Sequence, residues 1–115
     1  MSFNELDLKR IEKEVKAFIE KRRPPAEIRE EVDLSFRIEK YSIFIFEIRP
    51  VWRNPAEKAE IPIAKATFVK AKNIWKIYWQ RADLKWHKYD PLEEVKTVKE
   101  FIAEVDNDQY GCFWG

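Results

Sequence analysis

Ile74-Trp-Lys-Ile-Tyr-Trp-Gln80 and Leu84-Lys-Trp-His-Lys-Tyr89 decide the fold. In both runs, large apolar side chains alternate with polar ones, the pattern of a strand with one buried face. Only Arg81-Ala-Asp83 separates them, so they read as neighbours in an antiparallel hairpin. Working backward, Ile61 to Ala71 reads as a strand. Ile43 to Ile48 is apolar on both faces, as a central strand should be. Leu34, Phe36 and Ile38 alternate with Ser35, Arg37 and Glu39, which makes a half-buried strand. Pro50 to Ala56 reads as a short linker-like stretch.

Helices flank this meander. Leu8, Ile11, Val15, Phe18 and Ile19 recur at steps of three and four and share one helix face. Ser2 with Glu5 fits a capping box, and Asn4 is a rival cap. Pro24 and Pro25 stop the helix, and Pro25 suits the start of a short second helix, Ala26 to Val32. Downstream, Asp90-Pro-Leu-Glu93 reads as a helix start. Leu92, Val95, Val98, Ile102 and Val105 give that helix an apolar face, and it should end near Asp106-Asn-Asp108. The expected fold is α+β and two-layered: an N-terminal helix, a short second helix, an antiparallel meander of four to five strands and a C-terminal helix. One domain, residues 1–115, is expected.

Composition narrows the chemistry. Of 115 residues, 45% are apolar and 15% aromatic, too many for a disordered chain. Two glycines argue against a Gly-rich phosphate loop, and the single Cys112 excludes an internal disulfide or a multi-cysteine zinc site. No catalytic residue, cofactor or metal site is assigned. Met1 to Asp7 has neither the basic nor the apolar segment of a secretory signal. The longest apolar run, Ser42 to Ile48, is far short of the ~20 residues that span a bilayer. A cytoplasmic protein with no membrane partner is expected.

The net charge of +1 conceals a strong asymmetry. Residues 61–89 hold seven bases and one acid, whereas residues 90–115 hold two bases and seven acids. Strand parity sorts the basic region into faces. With a two-residue Lys72-Asn73 turn and an even second turn, Phe68 faces Ile77, Ala66 faces Trp79, and Trp79 faces Trp86. Ala64, Ala66, Phe68, Trp75, Ile77, Trp79, Leu84 and Trp86 then form the core face. Lys65, Thr67, Lys76, Tyr78, Gln80, Lys85, His87 and Tyr89 form the polar face, with Val69 among them.

A sheet that offers rings for stacking and lysines for phosphates suits nucleic acid. The leading expectation is a small non-enzymatic binding protein using that face. Lys65, Lys76 and Lys85 would meet phosphates; Tyr78, Tyr89 and His87 would stack or hydrogen-bond; Arg81 would reach a groove from the hairpin tip. The expectation fails if the acidic helix covers this face. The alternative is a protein–protein adaptor or regulator that presents the same face, or the Phe113-Trp114 tail, to an acidic protein partner. That tail also reads as an anchor tucked into the core edge. An enzyme ranks third. It would need a pocket around Glu47, Arg49 or His87, and the order Asp33…Glu47-Ile-Arg49 only loosely matches metal-dependent nucleases. Oligomeric state is left open.

Several words of the sequence occur together: Arg22-Arg-Pro-Pro25, Phe46-Glu-Ile-Arg-Pro50, Ile63-Ala-Lys-Ala-Thr67, Trp75-Lys-Ile-Tyr-Trp79, Arg81-Ala-Asp-Leu-Lys-Trp-His87 and Gly111-Cys-Phe-Trp-Gly115. With these words the chain resembles a family of small bacterial proteins catalogued as domain of unknown function 3024. The resemblance covers nearly the whole chain. It implies a bacterial, single-domain protein and no particular activity.

Overall fold

A computed structural model describes residues 3–114. Helix α1, Glu5–Arg22, starts at Asn4, whose side-chain oxygen accepts from the Asp7 N–H at 2.8 Å. Of the two expected caps this is the rival one; Ser2 lies outside the described residues. The helix stops before Pro24, and the short second helix shrinks to a single 3₁₀ turn, Ala26–Ile28.

Strands β1 (Asp33–Glu39), β2 (Ser42–Val51), β3 (Asn54–Val69), β4 (Ile74–Gln80) and β5 (Trp86–Lys88) form an antiparallel sheet in sequence order. A two-residue strand, β6 (Glu94–Val95), pairs with β4 beside β5. The second helix, α2, spans Val98–Asn107. The architecture is α+β, with both helices on one face of the sheet. Ile11, Val15 and Phe18 of α1 and Val98, Phe101 and Val105 of α2 share one apolar cluster with Ile43, Ile45, Ala64, Ala66 and Ile77.

Three more sequence expectations change in the arm, the β3–β4 turn and the start of the last helix. Pro50 to Ala56 is not a linker: β2 and β3 run on through it and turn at Trp52-Arg53, making an arm with Trp52 86% exposed at its tip. Pro55 and Pro62 did not prevent this because β4 begins its pairing only at Ala64, so both prolines meet an edge that needs no donor. Next, the β3–β4 turn has four residues, not two, so Phe68 faces Trp75 and Ala66 faces Ile77. The slip is by two, so β3 and β4 keep their faces.

The C-terminal helix also starts later. Asp90–Leu92 makes one 3₁₀ turn, and the chain then returns to β4: Ile77 N–H donates to the Glu93 carbonyl at 2.9 Å, and Val95 is buried opposite Trp75. Satisfying the open β4 edge and burying Val95 outweigh the Asp-Pro start signal. The working cap is Thr97, whose hydroxyl accepts from Glu100 N–H at 3.2 Å and donates to Glu100 Oε1 at 3.1 Å. Thr97-Val-Lys-Glu100 is a capping box legible in the sequence. Beyond α2 the tail is an anchor. Both carboxylate oxygens of Asp108 accept backbone N–H groups, from Phe113 (3.0 Å) and Trp114 (2.9 Å), and Phe113 is buried. The Trp114 indole donates to the Val105 carbonyl at 2.7 Å.

An ion pair ties α1 to the first strand. Arg23 donates through Nε and Nη2 to the two Asp33 oxygens, each at 2.9 Å. The guanidinium, joined by the Leu34 N–H, holds the Asp33 carboxyl below its ordinary 3.8. A carboxyl lowered in the folded state stabilises it above the unfolded value and loses that contribution as pH falls through the folded value. Between about pH 5 and about pH 2 the protein should therefore lose more stability than Asp33→Asn, measured by urea unfolding. Parallel acid profiles would mean the pair is too solvated to matter.

Candidate nucleic-acid interface

Among the described residues, both helices pack on one face of the sheet, and the other face is open. Its central feature follows from register alone. Arg37 faces Phe44, Phe44 faces Lys65, Lys65 faces Tyr78, and Tyr78 faces Lys88. Cations and rings thus alternate across five strands. At about 4.8 Å per strand the row is roughly 19 Å long.

Lys65 stands at its centre. Its ammonium lies 4.7 Å from the Tyr78 ring centre, 5.3 Å from that of Trp86 and 5.9 Å from that of Phe44. The rings offer quadrupole attraction but no counter-charge. Burial among them pushes the Lys65 pKa down from 10.5. Arg37 lies over Phe46 at 4.9 Å and is committed to carboxylates, with Glu60 at 2.7 Å and Glu39 at 3.1 Å. Phe46 is 6% exposed yet outside the main core cluster. Beside it, Phe44, Pro62 and Trp86 line a shallow depression of about 220 Å³.

On the next row, Lys76 sits between Thr67 and Glu94. Together with Lys72 and Lys88 it borders a polar depression of about 210 Å³, which Glu93 and Glu94 also line. Among the described residues, Lys65, Lys76 and Lys88 enter no ion pair.

The sequence-derived set divides. Lys65, Lys76 and Tyr78 come together on the open face. His87, Tyr89, Arg81 and Lys85 do not join them, because the β4–β5 turn holds five residues rather than an even number. Gln80 faces Trp86 and Trp79 faces His87, which inverts β5. The turn is built on Leu84 at φ 63° and on Asp83, whose carboxylate accepts from the Lys85 N–H at 2.9 Å. His87 therefore lies on the helix side, its Nε2 2.8 Å from Asp83 Oδ2. Tyr89 is fully buried, stacks on Phe113 at 4.8 Å and donates its hydroxyl to Glu104 Oε2 at 2.7 Å. Burial raises its pKa well above 10.0. Arg81 lies over Trp79, on the helix side, and Lys85 is exposed in the turn. Trp86, expected in the core, moves to the open face, and Leu84, also expected there, is 77% exposed.

Arg37, Phe44, Phe46, Trp86 and Lys88 are the members that the sequence reading missed. A signal existed: Ile43 to Ile48 is apolar on both faces, and with helices on one side only, its second set of rings had to line the open face. The acidic helix does not cover this face, since Val98, Phe101 and Val105 point into the core on the other side.

The catalytic alternatives find their groups paired elsewhere. Asp33 is held by Arg23, and Glu47 pairs with Arg49 at 3.4 Å. Among the described residues, no three of His, Cys, Asp and Glu gather as a metal-ligand set. Burial and Asp108 raise the Cys112 pKa, which disfavours a reactive thiolate. Among the described residues, no helix is long and apolar enough to cross a membrane.

No curated protein and no solved structure matches the chain. One family profile does, over residues 3–115, and its description is Domain of unknown function (DUF3024). That match spans nearly every residue discussed above, so the chain belongs to the DUF3024 family.

Proposed function

We propose that this protein binds nucleic acid through the open face of its sheet. The observation that carries the reading is the alternating row Arg37–Phe44–Lys65–Tyr78–Lys88. Rings present π-faces or edges to bases, and the unpaired lysines meet phosphates. Lys65 suits an anion in particular. Folding has partly buried it and fixed it among three rings, so an arriving phosphate meets a pre-organised cation. The anion would in turn favour the charged amine.

The test is fluorescence anisotropy of short labelled single- and double-stranded DNA and RNA at two salt concentrations. Binding should weaken with salt, with a log–log slope of about −0.7 to −0.9 per phosphate contact. Lys65→Gln should weaken it about tenfold, the scale of one desolvated charge-assisted contact. No binding of any probe at low salt would overturn the reading.

A second reading keeps the face and changes the partner. An acidic protein segment could place carboxylates on the same lysines and an apolar side chain in the depression beside Trp86. Poly-glutamate that displaces the nucleic-acid probe at equal charge concentration would favour it.

A further inference from the structure

We propose that a cavity of about 480 Å³ between the N-terminal halves of α1 and α2 is a separate binding site for an amphipathic organic anion. Its volume is in the range that holds a small ligand. It opens on the helix side of the molecule and shares no residue with the row around Lys65.

One wall is aromatic. Phe3, Phe68 and Trp75 pack ring against ring, with centres 5.9 Å (Phe3–Phe68), 5.6 Å (Phe3–Trp75) and 5.1 Å (Phe68–Trp75) apart. Ile11 of α1 extends the apolar surface. Such a wall receives the flat or apolar body of a ligand.

The charged lining selects the sign. Arg10 is spent on Asp7, at 3.2 Å. What remains is Lys96 and Lys99 against Glu14, and none of the three enters an ion pair among the described residues. The surplus is one positive charge. The first turn of α2 adds little of its own, because Thr97 already caps it. An apolar body with one carboxylate or sulfonate therefore complements both walls, with its charged end toward Lys96 and Lys99.

Two probes of similar shape test this: 8-anilinonaphthalene-1-sulfonate and the uncharged N-phenyl-1-naphthylamine. Fluorescence titration should show one saturable site that prefers the sulfonate by about tenfold or more. Lys96→Glu/Lys99→Glu should erase that preference while leaving the uncharged probe unaffected. Both lysines are exposed, so the variant should fold normally. Absence of saturable binding overturns the proposal, as does a sulfonate preference that survives the double substitution. Phe44→Ser should change neither probe. If it abolishes binding instead, the probe sits on the open sheet face and the cavity assignment is wrong.

Discussion

Phe101→Ala should remove about 3–5 kcal/mol of folding stability, the usual cost of deleting a fully buried phenyl ring. Phe101 has no exposed surface and lies near the middle of α2, within the cluster that both helices share with the sheet. A helix of 10 residues is too short to hold itself together in water, so α2 exists because this face is packed. The substitution leaves a cavity that a two-layer fold can close only by shifting the helix. Urea unfolding should report the loss, with a thermal midpoint lower by roughly 12 °C or more. Trp52→Ala is the counterpart. Its ring is as large, but it is 86% exposed at the arm tip, and the change should stay within about 0.5 kcal/mol. A loss below about 1 kcal/mol for Phe101→Ala would mean that α2 is not docked on the sheet as described. The consequence reaches beyond stability, because the docking of α2 on this side keeps the helix and its Glu100, Glu104 and Asp106 off the other side of the sheet, where Glu93 and Glu94 border the lysines.

The strand arrangement was legible where physics repeats over many residues. Ile74–Gln80 could be bounded from alternation alone, and α1 from its apolar spacing and Pro24. The faces of β3 and β4 survived an error in turn length because two residues is the period of a strand. What failed rested on single local decisions. One odd turn, held by Asp83 and a left-handed Leu84, inverted β5 and moved His87 and Tyr89 off the candidate site while bringing Trp86 and Lys88 onto it. Nothing in Arg81-Ala-Asp-Leu-Lys85 announces five residues rather than four. The start of α2 was decided by competition. Asp90-Pro91 and Thr97…Glu100 are both good helix starts, and only the open edge of β4, a tertiary fact, chose the second. The row of cations and rings was hidden for the same reason. Arg37, Phe44, Lys65, Tyr78 and Lys88 are scattered over 52 positions, and only the register lines them up.

That division yields the sharpest functional prediction. Lys76→Glu/Lys88→Glu should weaken nucleic-acid binding at least tenfold at low salt, whereas Arg81→Glu/Lys85→Glu should weaken it much less. Each double variant reverses two charges and shifts the net charge by the same −4, from +1 to −3. Long-range attraction therefore falls equally in both, and any difference between them is local contact. Lys76 and Lys88 are on the open face and border the same polar depression. Arg81 leans over Trp79 on the helix side, and Lys85 is exposed in the turn. If both open-face lysines meet phosphates, the salt slope should also fall, by about 1.4 for a single strand or about 1.8 for a duplex. All four side chains lie outside the core cluster, so unfolding curves of the two variants should stay close to that of the parent. Equal losses in the two variants would reduce the interaction to bulk charge, with no site on the sheet. A larger loss from the turn variant would place the contact on the helix side, beside Trp79 and His87, and the open face would then need another role. A selective loss from Lys76→Glu/Lys88→Glu, with a shallower slope, ties binding to the open face around Lys65, because Lys76 and Lys88 border the same depression as Tyr78, the ring over which Lys65 lies.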